Sequence, residues 1–241
     1  MLKKLIILLV AFSFITNAQN NFTYKTDFKT ILAKTKDAND KLCYDKLLSR
    51  FNKNDSTLTN AEVLALLIGF TAKPEYKPYE DMLVENDIYN LNAEGKYYDA
   101  RIKANEFMQT HPLSVKVIFE RAFSYYKGRF EDSAKIFASQ GNKIFNAMKY
   151  SGKGKTMQDP IFALSPQDGQ EYIYKFLSGG IGLKGSLKDE NGNTVDFLEV
   201  TSKVKEPYNL YFIIQHATEK MPLKLESAVE KEKREKRESE K

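Results

Sequence analysis

One cysteine, Cys43, and two histidines, His111 and His216, are the only thiol and imidazole groups in 241 residues. A chain with a single thiol closes no internal disulfide, so its fold must rest on packing. Cys43 precedes Leu47 and Phe51 at four-residue spacing, which puts it on an apolar helical face as a buried structural thiol. A nucleophilic cysteine needs a basic partner that this chain barely offers. His111 stands before Pro112 at an expected helix end, where a basic side chain complements the dipole, and no second ligand lies at metal-binding spacing. His216 closes an apolar run and reads as a structural or edge residue of a strand. Serine-elbow and zinc motifs are missing as well. Ser151-Gly152-Lys153-Gly154-Lys155-Thr156 ends like a phosphate loop, but Lys149 occupies the place of its first glycine, so it reads as a flexible turn. No metal, no cofactor and no catalytic activity are expected.

Two further absences concern partners. The net charge is +5, but lysines, arginines and acids alternate along the chain and no basic stripe forms, which argues against nucleic acid. No apolar run approaches the roughly 20 residues that span a bilayer. The longest, Leu5 to Ile15, follows Lys3-Lys4 and precedes Thr16-Asn17-Ala18, the three parts of a secretory signal peptide cut before Gln19. Residues 1–18 are therefore expected to be removed, leaving a net charge of +3 and a periplasmic or secreted protein without stable membrane insertion. No cysteine at the cut site supports a lipid anchor.

What the chain does contain is helical period. Ala100 and Ala134 lie 34 positions apart, each after a Gly-basic-aromatic turn, Gly95-Lys96-Tyr97 and Gly128-Arg129-Phe130. Pro112 closes the first unit. That is the period and punctuation of tetratricopeptide hairpins, in which a small residue lets helices approach and glycine permits the turn between them. Apolar spacing predicts further helices over Asp27–Lys36 and Asp37–Phe51. Thr59-Asn60-Ala61-Glu62 has the capping-box pattern and starts a helix to about Gly69. Pro78 opens another that runs to about Ala93. Between these, Phe70 to Tyr79 reads as an extended connector whose tyrosines, Tyr76 and Tyr79, either pack on the flanking helices or face a ligand. After the hairpins, Gln140-Gly141-Asn142 is expected to interrupt the last helix.

From Lys153 onward the character changes. Pro160–Leu164 reads as a short strand, and Ser165-Pro166 opens a helix that stops at Gly179-Gly180. Leu183–Lys188, Thr194–Thr201 and Tyr208–His216 read as antiparallel strands, the first two joined by a type I′ turn at Asn191-Gly192. Asp189, Asn191, Asn193 and Asp196 alternate as oxygen ligands, but Thr194 and Val200 stand where a calcium loop needs Gly and Glu. Residues 222–241 form a charge-balanced tail. The expected architecture is α+β: a helical domain over residues 26–152, a small antiparallel β module over 153–221, and the tail.

Gly69-Phe70-Thr71, Pro74-Glu75-Tyr76-Lys77-Pro78-Tyr79, Glu94-Gly95-Lys96-Tyr97, the turn and strand from Gly152 to Ile161, and Tyr211-Phe212-Ile213-Ile214 together resemble an exported Bacteroidota family, the domain of unknown function numbered 4919. The resemblance runs from Asp40 to Met221. Where such proteins often carry tyrosines before the glycine-aromatic pair, this chain has Leu67-Ile68. The resemblance implies an exported, repeat-like helical body with a small C-terminal β region, and it brings no catalytic residues. The functional expectation is a non-catalytic scaffold of the cell envelope that binds a protein or peptide partner. Tyr97, Tyr98, Arg101, Tyr125, Tyr126 and Arg129 would line its surface, with Tyr76 and Tyr79 from the connector, because Tyr and Arg dominate contact hot spots. The alternative is a glycan-binding or hydrolytic envelope enzyme using a carboxylate pair drawn from Asp99, Glu106, Glu120 and Glu131.

Overall fold

A computed structural model describes residues 22–222; the expected signal peptide and the charged tail beyond Pro222 lie outside it. The chain is α+β. Seven helices come first: α1 (Tyr24–Lys36), α2 (Tyr44–Asn52), α3 (Asn60–Phe70), α4 (Pro78–Ala93), α5 (Tyr97–Phe107), α6 (Val115–Lys127) and α7 (Glu131–Ser151). Strand β1 (Ile161–Phe162), helix α8 (Pro166–Glu171) and a π-helical turn (Tyr172–Phe176) follow. Then come β2 (Gly180–Lys188), β3 (Thr194–Thr201), β4 (Tyr208–Ile213) and a last helical turn, α9 (Gln215–Thr218). None of the described helices is long and apolar enough to cross a membrane.

Helix α3 occupies the centre. Its start is fixed by the capping box: the Glu62 amide donates to Thr59 Oγ1, and the Thr59 amide donates to Glu62 Oε2. Arg50 braces that end, with Nε 2.7 Å from Asp55 and Nη1 2.6 Å from Glu62. From Val63 to Phe70 every residue is buried, the signature of a helix surrounded on all sides. One apolar cluster joins α3 to residues on both sides of Lys153, including Phe51, Ile118, Phe145, Phe162, Val195 and Phe212. Segments 26–152 and 153–221 thus share a core.

Several local expectations need correction. Helix α2 begins at Tyr44 and not at Asp37, because Asp37 and Asp40 each fold back to accept an amide two residues on, from Asn39 and Leu42. Helix α7 is unbroken through Gln140-Gly141-Asn142. Gly141 gives the Phe119 ring room, since a Cβ there would stand 2.5 Å from it, and buried Gln140 donates to the Phe51 carbonyl at 3.1 Å. Tertiary contacts on both sides of the helix outweigh the local weakness of glycine.

The sheet is mixed, in the order β1-β4-β3-β2, with β1 parallel to β4 and the other pairs antiparallel. The β2–β3 turn is longer than a type I′ turn. Only Gly192 takes positive φ, at 79°, and Asp189 caps the loop by accepting the amides of Asn191 and Asn193. His216 lies in α9 and not in a strand. It is fully buried and stacks on Phe162 at 4.5 Å, with Phe28 on α1 at 5.5 Å.

Candidate functional site

Helix α6 packs against both α5 and α7, and most of the residues picked out from the sequence lie at the start of α5 and the end of α6. Ala100 and Ala134 are buried, as their spacing demands. The turn before α5 uses Gly95 at φ 77°. The equivalent position one period later is Arg129, at φ 63°, and not Gly128. Gly128 makes room for a guanidinium instead, because a Cβ there would come 2.2 Å from Arg101 Nη1.

Arg101 occupies that room beneath three rings. Its guanidinium carbon lies 4.8 Å from the centre of Phe130, 5.5 Å from Tyr125 and 5.6 Å from Tyr98. A cation over aromatic faces gains from the ring quadrupole. Tyr125 is half-buried and is fixed by Asn105, which donates to its hydroxyl at 3.1 Å. Beside this cluster Tyr97 meets Phe123 edge-on at 5.9 Å, with Lys127 over the Phe123 ring at 5.3 Å. Tyr98 is 65% exposed and Tyr126 60%, with Ile102, Phe123 and Phe130 also at the surface. The structure therefore gathers Tyr98, Arg101 and Tyr125 around one guanidinium, with Tyr97 close by. Tyr126, near the end of α6, and Arg129, in the turn after it, are exposed.

Tyr76 and Tyr79 belong elsewhere. Tyr76 is 3% exposed and donates to the Leu164 carbonyl at 2.6 Å, joining the connector to the β1–α8 loop. Burial pushes its phenol well above the ordinary value, with Asp168 adding to the effect. Tyr79 is half-buried against the core, and burial raises it to about 12.

A second region has almost no trace in the sequence. Between α4, α6 and α8 opens a cleft of about 670 Å³, with Tyr89 and Tyr174 at its rim and Lys116, Glu120, Gln167, Glu171 and Lys175 within. Glu120 is the one member of the expected carboxylate set found here; Asp99, Glu106 and Glu131 are exposed. Its neighbour is Glu171. Lys175 Nζ binds both, 2.9 Å from Glu120 Oε1 and 3.3 Å from Glu171 Oε2, the latter an ion pair without hydrogen-bond geometry. Asn92 donates to Glu120 Oε2 at 2.9 Å. The π-helical turn places these groups: the Leu177 amide reaches back five residues to Tyr172, and this wider turn leaves Tyr174 and Lys175 outward while Tyr172 and Ile173 are buried. The i,i+4 pair Glu171–Lys175 is the only part of this arrangement that the sequence signals.

Buried carboxylates also stand behind the connector, around a recess of about 20 Å³, room for one water. Ser114 donates to Glu85 Oε1 at 2.6 Å, and Ser165 holds Asp168 through its amide and hydroxyl. Burial pushes Glu85 up to about 7, and it pushes Asp168 up to about 7 with help from the charge of Glu85. At the same recess His111 Nε2 lies 3.2 Å from Asp81. Burial opposes its protonation, but the hydrogen bond and charge of Asp81 outweigh that and raise its pKa above the ordinary value. Among the described residues no three His, Cys, Asp or Glu side chains group as metal ligands.

The family model described as "Domain of unknown function (DUF4919)" matches residues 29–222, most of the chain. The chain belongs to this family. The matched DUF4919 segment takes in α3, the aromatic turns of α5 to α7, the cleft and the sheet. No curated protein and no solved structure matches the chain.

Proposed function

We propose that this protein is a non-catalytic interaction scaffold of the Bacteroidota cell envelope, exported by residues 1–18, and that it docks a protein or peptide partner on the α5–α6–α7 turns. The observation that carries this reading is the Arg101 guanidinium seated under Tyr98, Tyr125 and Phe130, of which Tyr98 and Phe130 are more than half exposed. Tyr and Arg carry a disproportionate share of binding energy when desolvated, and an exposed cluster of both has that energy still to gain. Support for a tetratricopeptide-like body comes from two buried alanines one period apart and a left-handed residue in each preceding turn.

The test is in-cell crosslinking of the tagged protein in its native host, followed by mass spectrometry. The expected result is a protein captured by the wild type, lost from a Tyr98→Ala/Arg101→Ala variant, and retained by a Leu183→Ala control on the exposed β2 strand. A partner retained by both variants, or no partner above background, overturns the scaffold reading.

A further inference from the structure

Three cationic residues meet at the turn between α6 and α7, and none has a carboxylate partner. Lys127 ends α6, Arg129 occupies the turn, and Arg101 Nη1 rests against Gly128 between them. The ion pairs of these helices are made elsewhere: Lys96 with Glu94, Lys103 with Asp87, Lys175 with Glu120, and Lys135 with Asp132 at 4.0 Å. Among the described residues no carboxylate oxygen comes that close to Arg101, Lys127 or Arg129. Arg101 is half-buried beneath its rings, so it has lost part of its hydration without gaining a counter-charge. Arg121, which shares the Tyr125 ring with it, likewise has no carboxylate partner; it lies 3.8 Å from the Phe137 ring, and burial pushes its guanidinium below the ordinary value. Its Nε is sealed from solvent, and what it adds here is positive field.

Arg129 is a second, independent sign. Its φ of 63° lies in the left-handed region, which is costly for a residue with a Cβ and which the preceding repeat fills with Gly95. A strained, exposed arginine without a partner does nothing for the fold, and such strain persists where the side chain is used. What these groups lack is a counter-anion presented from outside, and the surroundings decide its form. Asp99, Glu131 and Asp132 stand exposed on the same helices, so a uniform polyanion or an anionic membrane would meet repulsion beside its contacts. Exposed Tyr98, Ile102 and Phe130 call for apolar groups alongside the charge. A peptide offers both, with carboxylates on a few side chains and apolar side chains between them. Given the scaffold reading, on which this rests, we infer that the segment docked at the α5–α6–α7 turns is acidic. Its carboxylates face Arg101 and Arg129, Lys127 adds to the attraction, and its apolar side chains lie on Tyr98 and Phe130. A guanidinium can hold a carboxylate through two parallel hydrogen bonds, which fixes direction as well as charge.

The test pans the immobilised, intact protein against a displayed library of random dodecapeptides, with the Tyr98→Ala/Arg101→Ala variant used to discard peptides bound elsewhere. The peptides that remain are expected to be enriched in Asp and Glu and depleted in Lys and Arg relative to the unselected library. Affinity for the best of them should fall roughly tenfold or more in Arg129→Gly. It should stay unchanged in Lys184→Gln, which removes a cation from the exposed β2 strand. Arg129→Gly should melt no lower than the wild type, because glycine relieves the left-handed φ; a lower melting temperature would overturn the role given to Arg129. Retained peptides without an acidic bias overturn the inference and leave the scaffold reading standing, whereas no retained peptide overturns both. Undiminished binding by Arg129→Gly also overturns the inference, as does a preference for polygalacturonate or phosphatidylglycerol vesicles over the acidic peptides in competition.

Discussion

Helices α3 and α5 each have eleven residues, and they are built for opposite ends. In α3 eight residues are buried and the helix touches α1, α2 and α7; in α5 only Ala100 and Ala104 are buried. The first is held by its surroundings and has no surface to offer. The second uses two small residues to lie close against its neighbours α4 and α6 and leaves much of its circumference to solvent. Stability and the proposed recognition thus fall to different helices, and substitutions should separate them.

The largest effect is expected in α3. Leu67→Ala removes a fully buried side chain and should cost about 2–5 kcal/mol in urea denaturation. A loss below about 1 kcal/mol would mean that α3 is not the structural centre.

An intermediate effect should come from the acid recess beside it. Glu85 and Asp168 hold protons in the folded state up to about pH 7, whereas their ordinary values are 4.5 and 3.8. Between those limits the folded chain binds more protons than the unfolded one, so their contribution is full below about pH 4 and is lost as pH rises to about 7. His216 works the other way. Burial lowers it to about 3, so its contribution is present above its ordinary 6.5 and is lost as pH falls. Glu85→Gln keeps an acceptor for Ser114 and removes the buried charge. It should stabilise the protein at pH 8 by about 1–3 kcal/mol and do nothing at pH 4. Equal changes at the two pH values would refute the assignment.

The smallest effect belongs to α5. Tyr98→Ala should move stability by less than about 0.5 kcal/mol, because the ring is mostly exposed, while abolishing partner capture. If it unfolds the protein, the contrast between the two helices fails.

How much of this is legible in the sequence depends on how far away the deciding atoms lie. The start of α3 and the span of α4 are readable because Thr59, Glu62 and Pro78 act within a turn of themselves. The continuity of α7 is not, because Gly141 is glycine for the sake of Phe119 on α6, which no local pattern announces. Gly128 looks like the left-handed residue of its turn, a role that Arg129 takes, because its service to Arg101 is likewise a tertiary contact. Of the residues picked out for a surface, Tyr98, Arg101 and Tyr125 come together, whereas Tyr76 and Tyr79 are drawn into the core by contacts far along the chain. The cleft is not readable, because α4, α6 and α8 each supply part of it, and only the fold brings Glu120 to Glu171.

The strand order has a consequence for how the chain reaches this state. β4, the last of the described strands to be synthesised, lies between β1 and β3, and α9 just beyond it sets His216 against Phe28 on α1. A chain that emerges N-terminus first, from a ribosome or through a membrane pore, cannot close its core until almost its last described residue is out. Folding is therefore gated by completion: long-range pairing makes it slow, and any chain cut before Tyr208 is left with two unpaired strand edges and an uncovered apolar interior. The protein's architecture thus tests its own integrity before it becomes compact.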